Sequence, residues 1–158
     1  MAEDGYQVRD RERPMSLVYD CSREIAKWVG ERLDGARFEP CTAIGVVRHG
    51  HLIAGIVYSN YRDGNVEISM VAESPLWASR QNFGALLGYP FYQLGCRRVT
   101  CLVKATNQPV RAFLCRLGFR EEGIIRQGFA HDDAAILGML KSECKWLKEE
   151  CDGRAQAA

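Results

Sequence analysis

The stretch Asn107-Gln-Pro-Val-Arg-Ala-Phe-Leu-Cys-Arg-Leu-Gly-Phe119, continuing into Arg120-Glu-Glu-Gly123, decides the fold. Asn107 caps a helix, because its side-chain oxygen accepts an orphan backbone N–H of the first turn. Pro109 stands in that first turn, where a missing N–H costs little. Val110, Phe113, Leu114 and Leu117 fall at i, i+3, i+4 and i+7, which predicts one buried helix face. Gly118 supplies the left-handed residue that ends the helix, and Phe119 re-enters a strand. Residues 97–104 before it read as a strand, so the segment is a strand–helix–strand unit.

Working outward, residues 16–19 form a short apolar run suited to a first strand. Asp20 or Ser22 then caps a helix carrying Ile25, Trp28, Val29 and Leu33, closed by Asp34-Gly35. Residues 42–48 and 52–60 are β-rich runs joined by His49-Gly50, a tight hairpin signal. Asp63-Gly64-Asn65 marks a second turn. Residues 66–71 then alternate, with Val66, Ile68 and Met70 on one face and Glu67, Ser69 and Val71 on the other. A helix is predicted over 79–94, with Pro90 inside it, where the ring must kink the helix or free a carbonyl. Residues 119–129 and 134–140 read as a closing antiparallel pair with 130–133 at its tip. A short helix is expected over 141–150, packing Cys144 and Leu147. The order β, α, three meandering β, α, β, α, β, β calls for a mixed α/β (α+β) domain with helices on both faces of one sheet.

Composition sets the outer limits. The chain of 158 residues is the length of one domain with a proper core. Its 21 basic and 20 acidic side chains nearly cancel, so overall charge argues neither for nor against a nucleic-acid partner. The seven cysteines include no C-x-x-C and no Cys/His cluster at zinc spacing, so reduced thiols are expected and no metal site. Met1 to Arg13 is charged throughout and does not read as a secretory signal. No apolar run approaches the roughly 20 residues of a membrane span. The expectation is a cytoplasmic protein without a membrane partner.

The Asn107 cap, the Gly118-Phe119 pair eleven and twelve residues later, and Glu122-Gly123 resemble the signature near the end of the GCN5-related N-acetyltransferase (GNAT) family. Within it, the branch that acetylates ribosomal-protein N-termini, with its phage-type relatives, is most similar. The resemblance spans about residues 16–147. It implies a single GNAT-like domain over 16–150, with a central mixed, mostly antiparallel twisted sheet, between a flexible arm (1–15) and a frayed tail (151–158). It also implies acyl transfer from acetyl-CoA, or another acyl-CoA, to a primary amine of a small molecule or peptide. A homodimer is compatible with it.

The family's site residues carry over position by position. The strand that splays from its neighbour is 66–71, continuing towards Glu73, so the backbone of Met70, Val71 and Ala72 is assigned to the pantetheine arm and thioester oxygen. The family's pyrophosphate loop falls on 74–79. Here the chain departs from the pattern, with Trp77 where the family has glycine, Ser74 for Gln or Arg, and Ser79 for Gly or Ala. Trp77, Ser79, Arg80 and Asn82 are the candidates there, beside Asn107 and, in the next helix, Arg111. Glu67 is the first candidate for general base and Glu73 the second. The tyrosine many members place seven residues after the Asn is Leu114, and the serine of the N-terminal branch is Val110, so the usual proton donor is absent. His131 reads as a surface residue at a hairpin tip, and His49 and His51 as turn residues.

Two alternatives stand beside this one. A divergent, phage-type GNAT fold would modify a nucleobase or bind nucleic acid or a protein partner, with Arg97, Arg98, Arg111 and Arg116 meeting phosphate; it is not favoured. An unrelated α+β binding module would show no V-shaped gap between 66–71 and 97–104.

Overall fold

The computed structural model describes residues 15–148; the arm expected before Met15 and the tail expected beyond 150 lie outside the described residues. Seven strands form one sheet in the order β1-β2-β3-β4-β5-β7-β6. They are β1 (Ser16–Val18), β2 (Cys41–Arg48), β3 (His51–Arg62), β4 (Asn65–Ala72), β5 (Arg98–Lys104), β6 (Arg120–Phe129) and β7 (Asp132–Leu140). Every neighbouring pair is antiparallel except β4 and β5, which run parallel. The β2–β3 and β3–β4 hairpins turn at His49-Gly50 and Asp63-Gly64. Both residues of each pair have positive φ, the condition of the turn that matches strand twist.

Helix α1 (Ser22–Arg32) packs Ile25, Ala26 and Val29 against Ala43 and Val57 on one face of the sheet. Helices α2 (Arg80–Gly88) and α3 (Gln108–Leu117) pack on the opposite face. There Phe83, Leu86, Leu114 and Leu117 meet Ile44, Ile56, Val66 and Ile68. The strict alternation along β4 is what sends Val66 and Ile68 to one face and Glu67 and Val71 to the other.

The decisive stretch folds as its residues require. Asn107 Oδ1 accepts from the Val110 amide at 3.4 Å, and Gly118 ends α3 at φ 116°. The Phe119 amide then bonds the Leu114 carbonyl at 3.0 Å, tying the exit strand to the helix. Leu114 and Leu117 are buried, but Val110 in the first turn is exposed.

Three expectations are corrected. Helix α1 has Cys21 at its cap with no side-chain bond, because Ser22 is used elsewhere, its Oγ accepting from the Ala43 amide at 3.0 Å. The predicted helix over 79–94 is α-helical only to Gly88 and continues as one π turn, Tyr89–Gln93. The helix expected over 141–150 is a single 3-10 turn, Lys141–Glu143. Beyond that turn the chain crosses α2 and α3, with Trp146 against Phe83 and its Nε1 donating to the Leu117 carbonyl at 2.8 Å. Nothing in the local spacing around Trp146 signalled that role.

Pro90 has no N–H for the carbonyl of Leu86, four residues earlier, and Tyr58 supplies the missing donor. Its Oη donates to Leu86 O at 2.6 Å, fully buried, and burial pushes the phenol's pKa well up, so the proton stays on. Tyr58→Phe is therefore expected to cost about 1–3 kcal/mol, because it leaves a buried carbonyl unpaired. The shift in urea midpoint at unchanged slope would measure it.

Candidate active site

The site is built from a failure of pairing. Strands β4 and β5 are in register at only three positions: Asn65 with Arg98, Val66 with Val99, and Glu67 with Thr100. Beyond Glu67, β4 stays with β3 as far as Ala72, and β5 stays with β7 as far as Lys104. The two parallel strands thus diverge from Glu67 and Thr100 into a V that widens toward Glu73 and Ala105.

The ladders fix which backbone groups face the gap. The Glu73 amide bonds Ile53 O at 2.8 Å. In the β3–β4 register this makes Gly55–Val71 and Val57–Ser69 hydrogen-bonded pairs, and leaves the amides of Met70 and Ala72 pointing away from β3. The amide of Val71 is directed to β3. Likewise the Ala105 amide bonds Asp133 O at 2.8 Å, so the backbone groups of Leu102 and Lys104 face the gap from the other side.

Glu67 stands at the vertex. It lies on the α1 face, and Asn60 Nδ2 donates to its Oε2 at 3.0 Å. Cys101, the next β5 residue after the vertex, is buried. That burial, with the nearby Glu67 charge, pushes its thiol up to about 12, so it is no nucleophile near neutral pH. Thr100 Oγ1 donates to Asn65 Oδ1 at 2.8 Å and accepts from Arg98 Nε at 3.0 Å. Arg98 in turn forks onto Glu122, Nη1 to Oε1 at 2.9 Å and Nη2 to Oε2 at 2.6 Å. Gly138 makes room for that pair, since a Cβ there would lie 2.5 Å from both Arg98 Nη2 and Glu122 Oε1.

At the wide end, the chain at and after the end of α1 reaches both arms of the V. Arg32 Nε meets Glu73 Oε1 at 2.6 Å and its guanidinium stacks over Trp28, while Asp34 pairs with Lys104. Glu73, the second candidate base, is thereby committed to Arg32. The hydrogen bond and charge of Lys104 hold the Asp34 carboxyl below the usual range. Arg98 does the same for Glu122, and the Thr106 hydroxyl for Asp132. Each lowered pKa adds stability that is complete above the ordinary carboxylate pKa of about 4 and is lost as pH falls through the lowered folded value. A Tm profile from pH 7 to 2 is therefore expected to be flat above about pH 5 and to decline below about 4, modestly because these carboxylates are exposed.

The loop assigned to pyrophosphate is a closed turn. Pro75–Trp77 forms one 3-10 turn, with Leu76 N bonded to Ser74 Oγ, Ala78 N to Pro75 O, and Ser79 N to Trp77 O. Ser79 Oγ caps α2 by accepting from Asn82 N at 3.1 Å, and Asn82 Nδ2 holds the Trp77 carbonyl at 2.9 Å. The indole of Trp77 is buried between Phe83 of α2 and Phe113 of α3, with ring centroids 5.3 and 6.0 Å away. Beside it, between Met70, Ile68 and Leu117, remains an apolar cavity of about 10 Å³, the size of a single water. The Arg80 guanidinium lies 5.9 Å from the Trp146 ring. Arg111 is bound by Glu121 at 2.7 Å and by the Ala105 carbonyl at 2.7 Å, and Asn107 is occupied as a cap. So the splay leaves two β4 amides turned into the gap, while the loop presents no free cradle of amides for a diphosphate.

No family model matches the chain, and no curated protein matches its sequence. Solved structures match its fold. A variant of spermidine N-acetyltransferase from Vibrio cholerae superposes at a TM-score of 0.65, with 15% identity over 85% of this chain and 96% of that one. Ribosomal-protein-S5-alanine acetyltransferase from Vibrio fischeri gives 0.63 and 13%, over 86% and 97%. A probable acetyltransferase gives 0.57 and 25%, over 73% and 67%. The fold is that of the GCN5-related N-acetyltransferases.

Proposed function

We propose that this protein transfers an acyl group, acetyl in the simplest case, from an acyl-CoA-type thioester to the primary amine of a small molecule or peptide. The observation that carries this is the β4–β5 splay, with the amides of Met70 and Ala72 left without a strand partner. The donor supplies an activated carbonyl. The chain supplies backbone N–H groups along the splay, a role that needs no particular side chain. Met70 and Ala72 are about 7 Å apart on one strand, so one amide meets the carbonyl oxygen where negative charge gathers as the amine adds, and the other is left for the arm. Leu114 and Val110 offer no proton to the departing sulfur, which leaves as a thiolate and takes its proton from water.

Glu67 takes the proton of the attacking amine. Met70 lies three positions further along the strand, about 10 Å away, so the proton crosses by water rather than by direct contact. Glu67→Gln is expected to lower kcat by about 10²-fold, the lower end of what general base catalysis contributes. Glu73→Gln, which only breaks an exposed pair with Arg32, should change it by less than about threefold. Equal losses in the two variants would remove Glu67 from this role.

The direct assay is thiol release and product mass with acetyl-CoA and a panel of polyamines, aminoglycosides and N-terminal peptides. Product carrying the acetyl mass supports the proposal. No release above the protein-free rate with any amine counts against it. The nucleic-acid alternative is weakened by the arginines themselves. Of the four it would use, Arg98 and Arg111 are paired with Glu122 and Glu121, and Arg97 donates to the Asp63 carbonyl.

A further inference from the structure

We propose that the site selects its donor by the pantetheine thioester arm and takes no hold on a nucleotide diphosphate, so that its donors are acyl-pantetheine thioesters as a class. This rests on the acyl-transfer reading above and narrows it. The two halves of the donor meet very different surroundings here. Along the splay, Met70 and Ala72 from β4 and Leu102 and Lys104 from β5 turn backbone groups into the gap. An arm with two amides is matched by such a rail, since each amide needs one donor and one acceptor. A diphosphate instead needs several N–H groups converging on one point, or fixed cations.

Neither is offered. The amides of Leu76, Ala78 and Ser79 are spent inside the 3-10 turn, that of Asn82 is capped by Ser79, and Pro75 has none. Opening the turn would pull Trp77 out of its place between Phe83 and Phe113 and release the Trp77 carbonyl from Asn82. The turn is therefore held shut by the core beneath it, and not merely by its own hydrogen bonds. Of the cations expected to help, Arg111 is bound to Glu121 and Ala105 O, and Arg80 lies toward Trp146.

The test uses the wild-type chain with two donors, acetyl-CoA and S-acetyl-pantetheine, and two readouts. Calorimetry measures binding of CoA and of pantetheine alone; kcat/KM is measured with whichever amine the panel identifies. A gripped diphosphate would favour CoA by about 100-fold or more, the worth of two charge-assisted hydrogen bonds. The expected result is a preference below about tenfold in both readouts, unchanged in Arg80→Ala. A preference above tenfold, or one that collapses in Arg80→Ala, overturns the proposal while leaving acyl transfer intact. If neither thiol binds and neither donor reacts, acyl transfer itself fails, and this proposal with it.

Discussion

Replacing Ala72 by proline is expected to cut acyl transfer by about 10²–10³-fold, the usual worth of one hydrogen-bond donor to a developing oxyanion, while the sheet stays folded. Position 72 allows this separation because its amide faces the gap, so proline there removes no bond to β3. Proline also holds the preceding residue extended, which Val71 already is within β4. The control is one residue away. Val71→Pro deletes a β3 ladder bond and leaves the Gly55 carbonyl without its donor, which should cost about 1–3 kcal/mol. Activity and Tm measured on both proteins separate the roles: the first loses rate, the second loses stability. An Ala72→Pro protein with full activity would show that this amide does no chemistry.

Trp77→Ala is expected to cost about 3–5 kcal/mol. The indole is only 6% exposed and touches rings from both α2 and α3, so its removal opens a cavity next to one that already exists. At this chain length that corresponds to a drop in Tm of about 10 °C. Denaturant unfolding would check it. A loss below about 1 kcal/mol would mean the ring is peripheral and the turn free to open. Together with the donor comparison, this measurement asks whether Trp77 belongs to the core or to the ligand.

Much of the fold was legible because its rules are local. An Asn cap, a proline in the first turn and a glycine stop act over a few residues, and α3 follows them from Gln108 to Leu117. The two hairpins follow from residues that accept positive φ, and the faces of β4 from its period of two. Pro90 was legible as a freed carbonyl, but not the tyrosine that would satisfy it. Tyr58 lies 28 residues away, in a different element.

The candidate site was less legible, and for the same reason. Glu67 was visible as a carboxylate on the polar side of a strand; its place at the vertex depends on where β5 leaves β4, a matter of register between segments 33 residues apart. Arg98 and Arg111 were visible as free cations because charge is read residue by residue, whereas Glu122 and Glu121 come to them only when β6 lies in the sheet. By itself, the sequence determined the strand and helix order, the faces, the turns and the GNAT resemblance, all set by backbone preference and hydrophobic period. Only the tertiary structure decided that the strands part at Glu67, which amides are left over, and that Trp77 belongs to the core. Those outcomes depend on which distant groups compete for the same partner, and no local pattern encodes that competition.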